Sequence, residues 1–412
     1  MLHSNDRSSG HSEVTVDESH LTDRPRKPAD SVSFDADVSF SVPFVHRLRR
    51  TDNVADQDFH VLVDLLHGGH DLPRVLLLAE RPVAEASEFV PQLAQRLTEH
   101  PGVNLVRELY VTPGGEAVKN DSQCVESILQ LINEHHLDRR SYVVAVGGGA
   151  MLDAVGYATA IAHRGVRLIR IPTTTLAQGD SGVGVKNAIN YFNKKNWVGT
   201  FSVPWAVIND SAVLQSLSDR DFCSGFSESV KVSLLKSVQE FDWLCRNAER
   251  IQRRDQEKVD RAIAVSCQLH LDHITKGGDP FEMLEARPLD FGHWSAHKLE
   301  PLTNYQVRHG EAVAIGVAID CFYSHLKLGL PLEDVHRVCD CLKRLGIPLW
   351  HPDLEPMERL LAGLEEFRQH LGGRLTITLL RQIGQSCDVH EIDRETMHEA
   401  LKMLQQWNAA SA

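Results

Sequence analysis

From residue 74 to 172 short apolar runs alternate with stretches of helical length and period: strands are expected at 75–79, 103–111, 142–146 and 166–171, with helices at 85–99, 121–136 and 150–163 between them. Successive strands separated by a helical crossover pair in parallel, so this region is predicted to form a mostly parallel sheet with helices packed on it. After a last strand at 205–208 the β signal nearly ends. Amphipathic helices are expected at 211–247, 255–275, 293–300, 309–327, 333–344 and 393–407, with one late β candidate at 375–380. The expected fold class is an α/β N-terminal domain, residues 38–208, followed by an all-α C-terminal domain, residues 209–412. A chain of 412 residues has room for both, since ordinary domains run to ~100–200 residues.

Residues 1–37 hold eight acids against four bases, interspersed with Ser, Pro and His, and are expected to be a disordered tail. Order is expected to begin where Val38, Phe40 and Val42 alternate with serines, the period of a half-buried strand, closed by Pro43. Over the whole chain 43 Lys and Arg face 56 Asp and Glu, a formal charge of −13, and that field repels nucleic acid and acidic membranes. No stretch approaches the ~18 uncharged apolar residues a membrane span needs. Residues 1–30 lack the basic-then-apolar order of a secretory signal. Eight cysteines, the nearest two being Cys339 and Cys341 outside CxxC spacing, are expected as reduced core thiols of a cytoplasmic protein.

The strand at 142–146 runs into Gly147-Gly148-Gly149 and then a helix. There a strand end, a glycine turn and a helix N-terminus offer backbone N–H groups to a phosphate, with a dinucleotide as the natural occupant. The segment matches neither GxGxxG nor GxxxxGK[ST], and glycines also serve any tight turn, so both readings stand at this point. Pro113-Gly114-Gly115-Glu116 with Lys119 follows another strand and faces the same rim, or is a plain loop. Asp180, Lys186, Lys195 and Asn196 fall on glycine-broken loops after a strand, where lysines suit a phosphorylated substrate or simply solvate the loop. Glu228 and Lys231 share one helix face, as a surface ion pair or as part of a site. His293 and His297 share another, and His309-Gly310-Glu311 opens the apolar run 312–319. A Glu with two His suits a Zn²⁺ that keeps a position open for substrate oxygen. Glu228, His293 and His309 are nevertheless 65 and 16 residues apart among 22 histidines, so spacing alone leaves a metal triad and a chance cluster both open.

In order and register these segments resemble the sugar phosphate cyclases, the family of 3-dehydroquinate synthase and the sedoheptulose 7-phosphate cyclases, from about residue 40 to 385. The matching motifs are Gly147-Gly148-Gly149-x3-Asp153, His163-Arg164-Gly165, Pro172-Thr173-Thr174, Asp180, Lys186, Lys195-Asn196, Glu228-x2-Lys231, Gly292-His293-x3-His297 and His309-Gly310-Glu311. The resemblance implies a dehydroquinate synthase-like enzyme with a dinucleotide-binding N-terminal domain and a metal-binding C-terminal one. It implies NAD held by Glu80, Glu116, Lys119, Gly148, Gly149, Asp153, Thr173, Thr174, Ser216 and Leu217. Zn²⁺ or Co²⁺ is implied on Glu228, His293 and His309, and Asp180, Lys186, Lys231 and His297 are implied as catalytic groups, His297 as proton shuttle. Lys195, Asn196, Asp290 and Arg368 are implied to meet the sugar phosphate, with Arg164 arriving from the second subunit of a homodimer. The implied reaction oxidises a ring hydroxyl transiently with NAD, eliminates phosphate beside the new ketone, returns the hydride and closes a carbocycle by an aldol step.

Within the family, 3-dehydroquinate synthase uses a lysine and an arginine upstream of the Gly-His motif, and an asparagine just before it, toward a carboxylate end of its substrate. Here the lysine's place falls at Asp272, flanked by His270 and His273; Arg287 is shifted by one residue; and the asparagine's place holds Asp290. Acids where a carboxylate must bind have the wrong sign, whereas an acid accepts hydrogen bonds from the hydroxyls of a neutral sugar end. Residues 181–190 also look more like the sedoheptulose 7-phosphate cyclases. The expected substrate is therefore a ketose phosphate of the sedoheptulose 7-phosphate type, with 3-dehydroquinate synthase as the alternative. Trp294, where the family commonly has threonine, fits neither. A metal-dependent alcohol dehydrogenase shares the two-domain architecture but has no need of the phosphate-reading cations Lys186, Lys195, Lys231 and Arg164.

Overall fold

The computed structural model describes residues 36–66, 71–192, 194–283, 288–370 and 373–411. Two compact units are distinguished, Met1–Pro43 and Phe44–Ala412. Of the first, residues 36–43 are described and form neither helix nor strand; the rest of the expected tail, and Arg287, lie outside the described residues. The strand expected from Val38 is thus not formed, and the first strand is Leu48–Thr51. Alternation makes a strand only where a neighbour completes the ladder, and it is 48–51 that finds one.

The strands of the second unit are β1 (Leu48–Thr51), β2 (Arg74–Glu80), β3 (Asn104–Thr112), β4 (Tyr142–Gly147), β5 (Arg167–Pro172), β6 (Lys186–Tyr191), β7 (Lys194–Phe201), β8 (Ala206–Asp210), β9 (Ile377–Gln382) and β10 (Gln385–Val389). Six of them form one sheet in the order β1-β8-β5-β4-β2-β3, every pair parallel. Along β2 and β4 successive side chains enter two different cores. Val75, Leu77, Tyr142, Val144 and Val146 pack with the helix Phe89–Glu99 and the C-terminal helices. Leu76, Leu78, Val143 and Ala145 pack with the helices Ser122–Glu134 and Gly149–Ile161. A strand covered on both faces needs an unbroken apolar run, and both runs are buried through their centres.

β6 and β7, read from sequence as loops, pair antiparallel as a hairpin, Lys186 opposite Phe201 and Tyr191 opposite Lys194. The helix expected over 211–247 is broken into Ala212–Ser216, Asp219–Ser224, Phe226–Lys236 and Val238–Gln252. Serine caps restart it: Ser218 accepts from the Asp221 N–H at 3.1 Å and Ser237 from the Glu240 N–H at 3.3 Å. The C-terminal half is helical apart from the antiparallel pair β9–β10. At its centre lies His309–Leu328, buried on every side from Gly310 to Ser324. Among the described residues no helix is long and apolar enough to cross a membrane.

That central helix sets the position of the Gly292–His293 turn. Gly292 has φ +78°, and a Cβ on Gly316 would stand 2.0 Å from the Gly292 carbonyl oxygen. Trp294 Nε1 and the Gly292 N–H both donate to Asp320, at 2.8 and 2.9 Å, so Trp294 is a buried structural anchor to the same helix. Gly316→Ala is expected to lower unfolding free energy by about 1–3 kcal/mol, because the helix must retreat from the turn. A urea titration checks it, and an unchanged midpoint at unchanged slope would show that the contact yields without cost.

Candidate active site

In the sheet the chain moves from β2 outward to β3 and then back across to β4, so the order reverses between β2 and β4. Open α/β sheets bind ligands outside the strand ends at such a reversal. Glu80 ends β2 there, and its two oxygens accept from the Gly115 and Gly148 N–H groups, each at 2.7 Å. Lys119, 3% exposed, donates to Asp153 at 2.7 Å and to Asn196 at 2.5 Å. Asn190 reaches Asn120 at 2.8 Å and Glu116 at 3.4 Å. Thr174 Oγ1 accepts from the Ala177 N–H at 3.0 Å, whereas Thr173 Oγ1 and Ser181 Oγ are buried without a partner. Ser181 Oγ also lies 2.6 Å from where a Cβ on Gly149 would stand, so only glycine admits it. With the Gly115 and Gly148 N–H groups held by Glu80, it is the N-terminus of the helix Gly149–Ile161 and the unsatisfied buried hydroxyls of Thr173 and Ser181 that suit the phosphates of a dinucleotide. Ser216 lines a cleft of about 310 Å³ with Asn53, Phe89 and Gln215, and the Leu217 carbonyl accepts from Arg254 at 2.6 Å.

The second cluster lies in the helical half. Glu228 on Phe226–Lys236, His293 opening His293–Leu302 and His309 opening His309–Leu328 each direct a ligand atom to one point, all within 4.8 Å of one another. Among the described residues this is the only His, Cys, Asp and Glu group so arranged. Glu228 is 1% exposed, and neither oxygen receives a well-angled hydrogen bond, although the Lys231 ammonium stands 2.5 Å from one of them. Burial raises the Glu228 carboxyl against the pull of Lys231. Burial, together with Lys231, His297 and His309, holds His293 well below the ordinary imidazole range, so its ring is neutral and can donate a lone pair. A buried carboxylate paired with one ammonium and facing two imidazoles is a donor set that fits a divalent metal.

Asp180 stands beside this cluster. Burial would raise its carboxyl, but His270 and Lys231 outweigh that and hold it below the carboxylate range. His270 Nδ1 lies 2.7 Å from Asp180 Oδ1. Burial would likewise lower Lys231, yet Glu228, Asp180 and Asp290 raise it, which puts Asp290 within electrostatic reach of the cluster. His297 faces His293 at 5.3 Å and stacks on His309 at 6.1 Å between ring centroids. Lys186, 56% exposed, pairs with Glu282.

The remaining expected residues are held as follows. Asp272 is turned away, bonded to Gln268 and Lys276 at 2.8 Å each, because it is off the helix face that Ser266 and His270 present to Gly179 and Asp180. Of the two residues it is His270, not Asp272, that stands against Asp180. Burial and the cations Lys236, His270, Lys186 and Lys231 push the neighbouring His273 down to about 4. Lys195 is bound to Glu300 at 2.6 Å. Arg368 forks onto Glu365 at 2.7 and 2.8 Å and onto the Gly373 carbonyl at 2.6 Å. Arg164 is exposed, with φ +64°, just before β5 and hence at the opposite end of the sheet from the glycine loops. Glu300 and His270 had no role from sequence. Glu300 is two helical turns after His293 on the face it shares with His297, and that was its signal.

The 3-dehydroquinate synthase N-terminal family matches residues 109–224 and its C-terminal family residues 225–366. The 3-dehydroquinate synthase of Agrobacterium fabrum (strain C58) is 38% identical over 282 residues, 66% of this chain and 74% of that protein. That of Halorhodospira halophila is 34% identical over 328 residues, 79% of this chain and 90% of that one. Among solved structures, the 2-epi-5-epi-valiolone synthase of Streptomyces hygroscopicus subsp. jinggangensis 5008, with NAD⁺ and Zn²⁺ bound, superposes with a TM-score of 0.80 at 26% identity, covering 90% of this chain and 99% of that one. Matched through both halves, with a sheet reversal lined by glycine N–H groups and a buried Glu-His-His cluster, the chain belongs to the 3-dehydroquinate synthase-like family of sugar phosphate cyclases.

Proposed function

We propose that the chain eliminates phosphate from a ketose phosphate of the sedoheptulose 7-phosphate type and closes the product into a carbocycle, using NAD and a divalent metal, Zn²⁺ or Co²⁺. Residues 38–208 form the cofactor half in this reading and residues 209–412 the metal and substrate half. The observation that carries it is the cluster of buried Glu228 and His293 with half-buried His309, with Lys231 and Asp180 against it. When bound, the cofactor and metal supply a hydride acceptor and Lewis acidity.

The chain's own residues do the rest. Glu80, Glu116, Lys119, Gly148, Gly149, Asp153, Thr173, Thr174, Ser216 and Leu217 seat the cofactor, and Glu228, His293 and His309 the metal. Lys186 and Lys231 neutralise phosphate and developing oxyanions. Asp180, kept ionised by its cationic neighbours, orients His270 and a substrate hydroxyl. His297 moves the proton. Asn196 and Asp290 accept from sugar hydroxyls, and Arg164, which lies at the far end of the sheet in its own chain, reaches the phosphate from the second subunit of a homodimer in this reading. Lys195 and Arg368, each already paired with a carboxylate, Glu300 and Glu365, turn their remaining N–H donors to the sugar phosphate in this reading.

Asp272 no longer supports an uncharged substrate end, so that part of the reading rests on Asp290. The names of the relatives at 38% and 34% identity favour 3-dehydroquinate synthase as the second reading. Phosphate release with NAD⁺ and Zn²⁺ decides between them when sedoheptulose 7-phosphate and 3-deoxy-arabino-heptulosonate 7-phosphate are offered side by side. Release from the first is expected, with Asp290→Asn lowering its kcat/KM by about 10- to 100-fold, the worth of a hydrogen bond to a charged group. Release from the second alone overturns the proposal in favour of the synthase.

A further inference from the structure

Glu300 joins two parts of the site that are far apart in sequence. Its side chain is 3% exposed; one oxygen accepts from Lys195 Nζ at 2.6 Å, and the other faces His309 Nδ1 at 3.1 Å. A carboxylate oxygen only accepts, so this contact puts the His309 proton on Nδ1 and leaves the lone pair on Nε2. An outer carboxylate of this kind fixes the ring and tautomer of a metal-binding histidine. Its second partner is unusual in position: Lys195 sits on β7, and it also has Glu116 Oε1 at 3.7 Å on the side of the glycine loops.

We propose that Glu300 is a positioning residue that makes metal affinity at His309 depend on the β6–β7 hairpin through Lys195, an inference that rests on the metal reading of Glu228, His293 and His309. With both oxygens engaged the carboxylate has one orientation. Without the Lys195 ammonium, one oxygen of a buried charge is left unpaired, and the group is no longer held toward Nδ1. The coupling is reciprocal, so metal on His309 also steadies the hairpin that carries Lys186 and Asn196.

Zinc affinity of the full chain, measured by competition with a chromogenic chelator, tests this. An amide has one acceptor oxygen and serves one of the two partners, so Glu300→Gln is expected to weaken zinc binding by about 10- to 100-fold. Lys195→Met is expected to weaken it in the unaltered background and to add nothing in Glu300→Gln. Unchanged affinity in Glu300→Gln, or independent additive effects of the two substitutions, would overturn the proposal. Should either variant fail to fold, hydrogen exchange of the unaltered chain decides. Zinc is expected to slow amide exchange across β7, and protection confined to the three ligand-bearing helices would sink the idea. None of these readouts uses a sugar: a chain that binds zinc yet releases no phosphate fails the cyclase reading alone, and one that takes up neither zinc nor cobalt overturns both.

Discussion

His309→Ala is expected to lose its zinc on purification and, with it, phosphate release. Glu228 and His293 alone leave two ligands where a catalytic zinc site needs three from the protein. The loss exceeds the ~10- to 100-fold that removal of an outer partner costs. The fold should survive, because the His309 side chain is 26% exposed at the first residue of its helix. Elemental analysis beside a thermal melt separates the two effects. Undiminished zinc in a folded variant would remove His309 from the site and dissolve the cluster as a metal centre.

Turnover in Lys186→Ala is expected to fall by on the order of 10²- to 10³-fold, the scale set by loss of one group that stabilises developing negative charge. Stability should scarcely change. The side chain is 56% exposed at the start of β6, and its ion pair with Glu282 is of the solvent-reached kind worth about 0–1 kcal/mol. Single-turnover phosphate release at saturating substrate reads the effect on chemistry. Full activity would mean that the lysine belongs to the hairpin's surface.

Much of this arrangement was legible in the chain because local pattern and tertiary demand agree. The runs at 75–79 and 142–146 are apolar at every position, as buried parallel strands must be, and they became the central strands β2 and β4. Glu80, Gly115 and Gly148 meet because strand ends and glycine turns place them on one rim. Where the two demands part, sequence misled. Val38, Phe40 and Val42 alternate without forming a strand, whereas Lys186–Tyr191, read as loop, pairs along its length. Matching the family's lysine by sequence selects Asp272, but a helix presents a face, and the face holding Ser266 against Gly179 also holds His270 against Asp180.

By itself the sequence determined the parallel sheet, the glycine rim, the order of the motifs and the acidic field, since each depends on residues close together or on totals. The tertiary structure alone decided that Glu228, His293 and His309 converge, that Trp294 is anchored on Asp320, and that Lys195 answers to Glu300. Those contacts span 65, 16, 26 and 105 residues. No local propensity reaches so far: such side chains meet only when the packing of the central helix His309–Leu328 and the pairing of β6 with β7 fix their backbones in space.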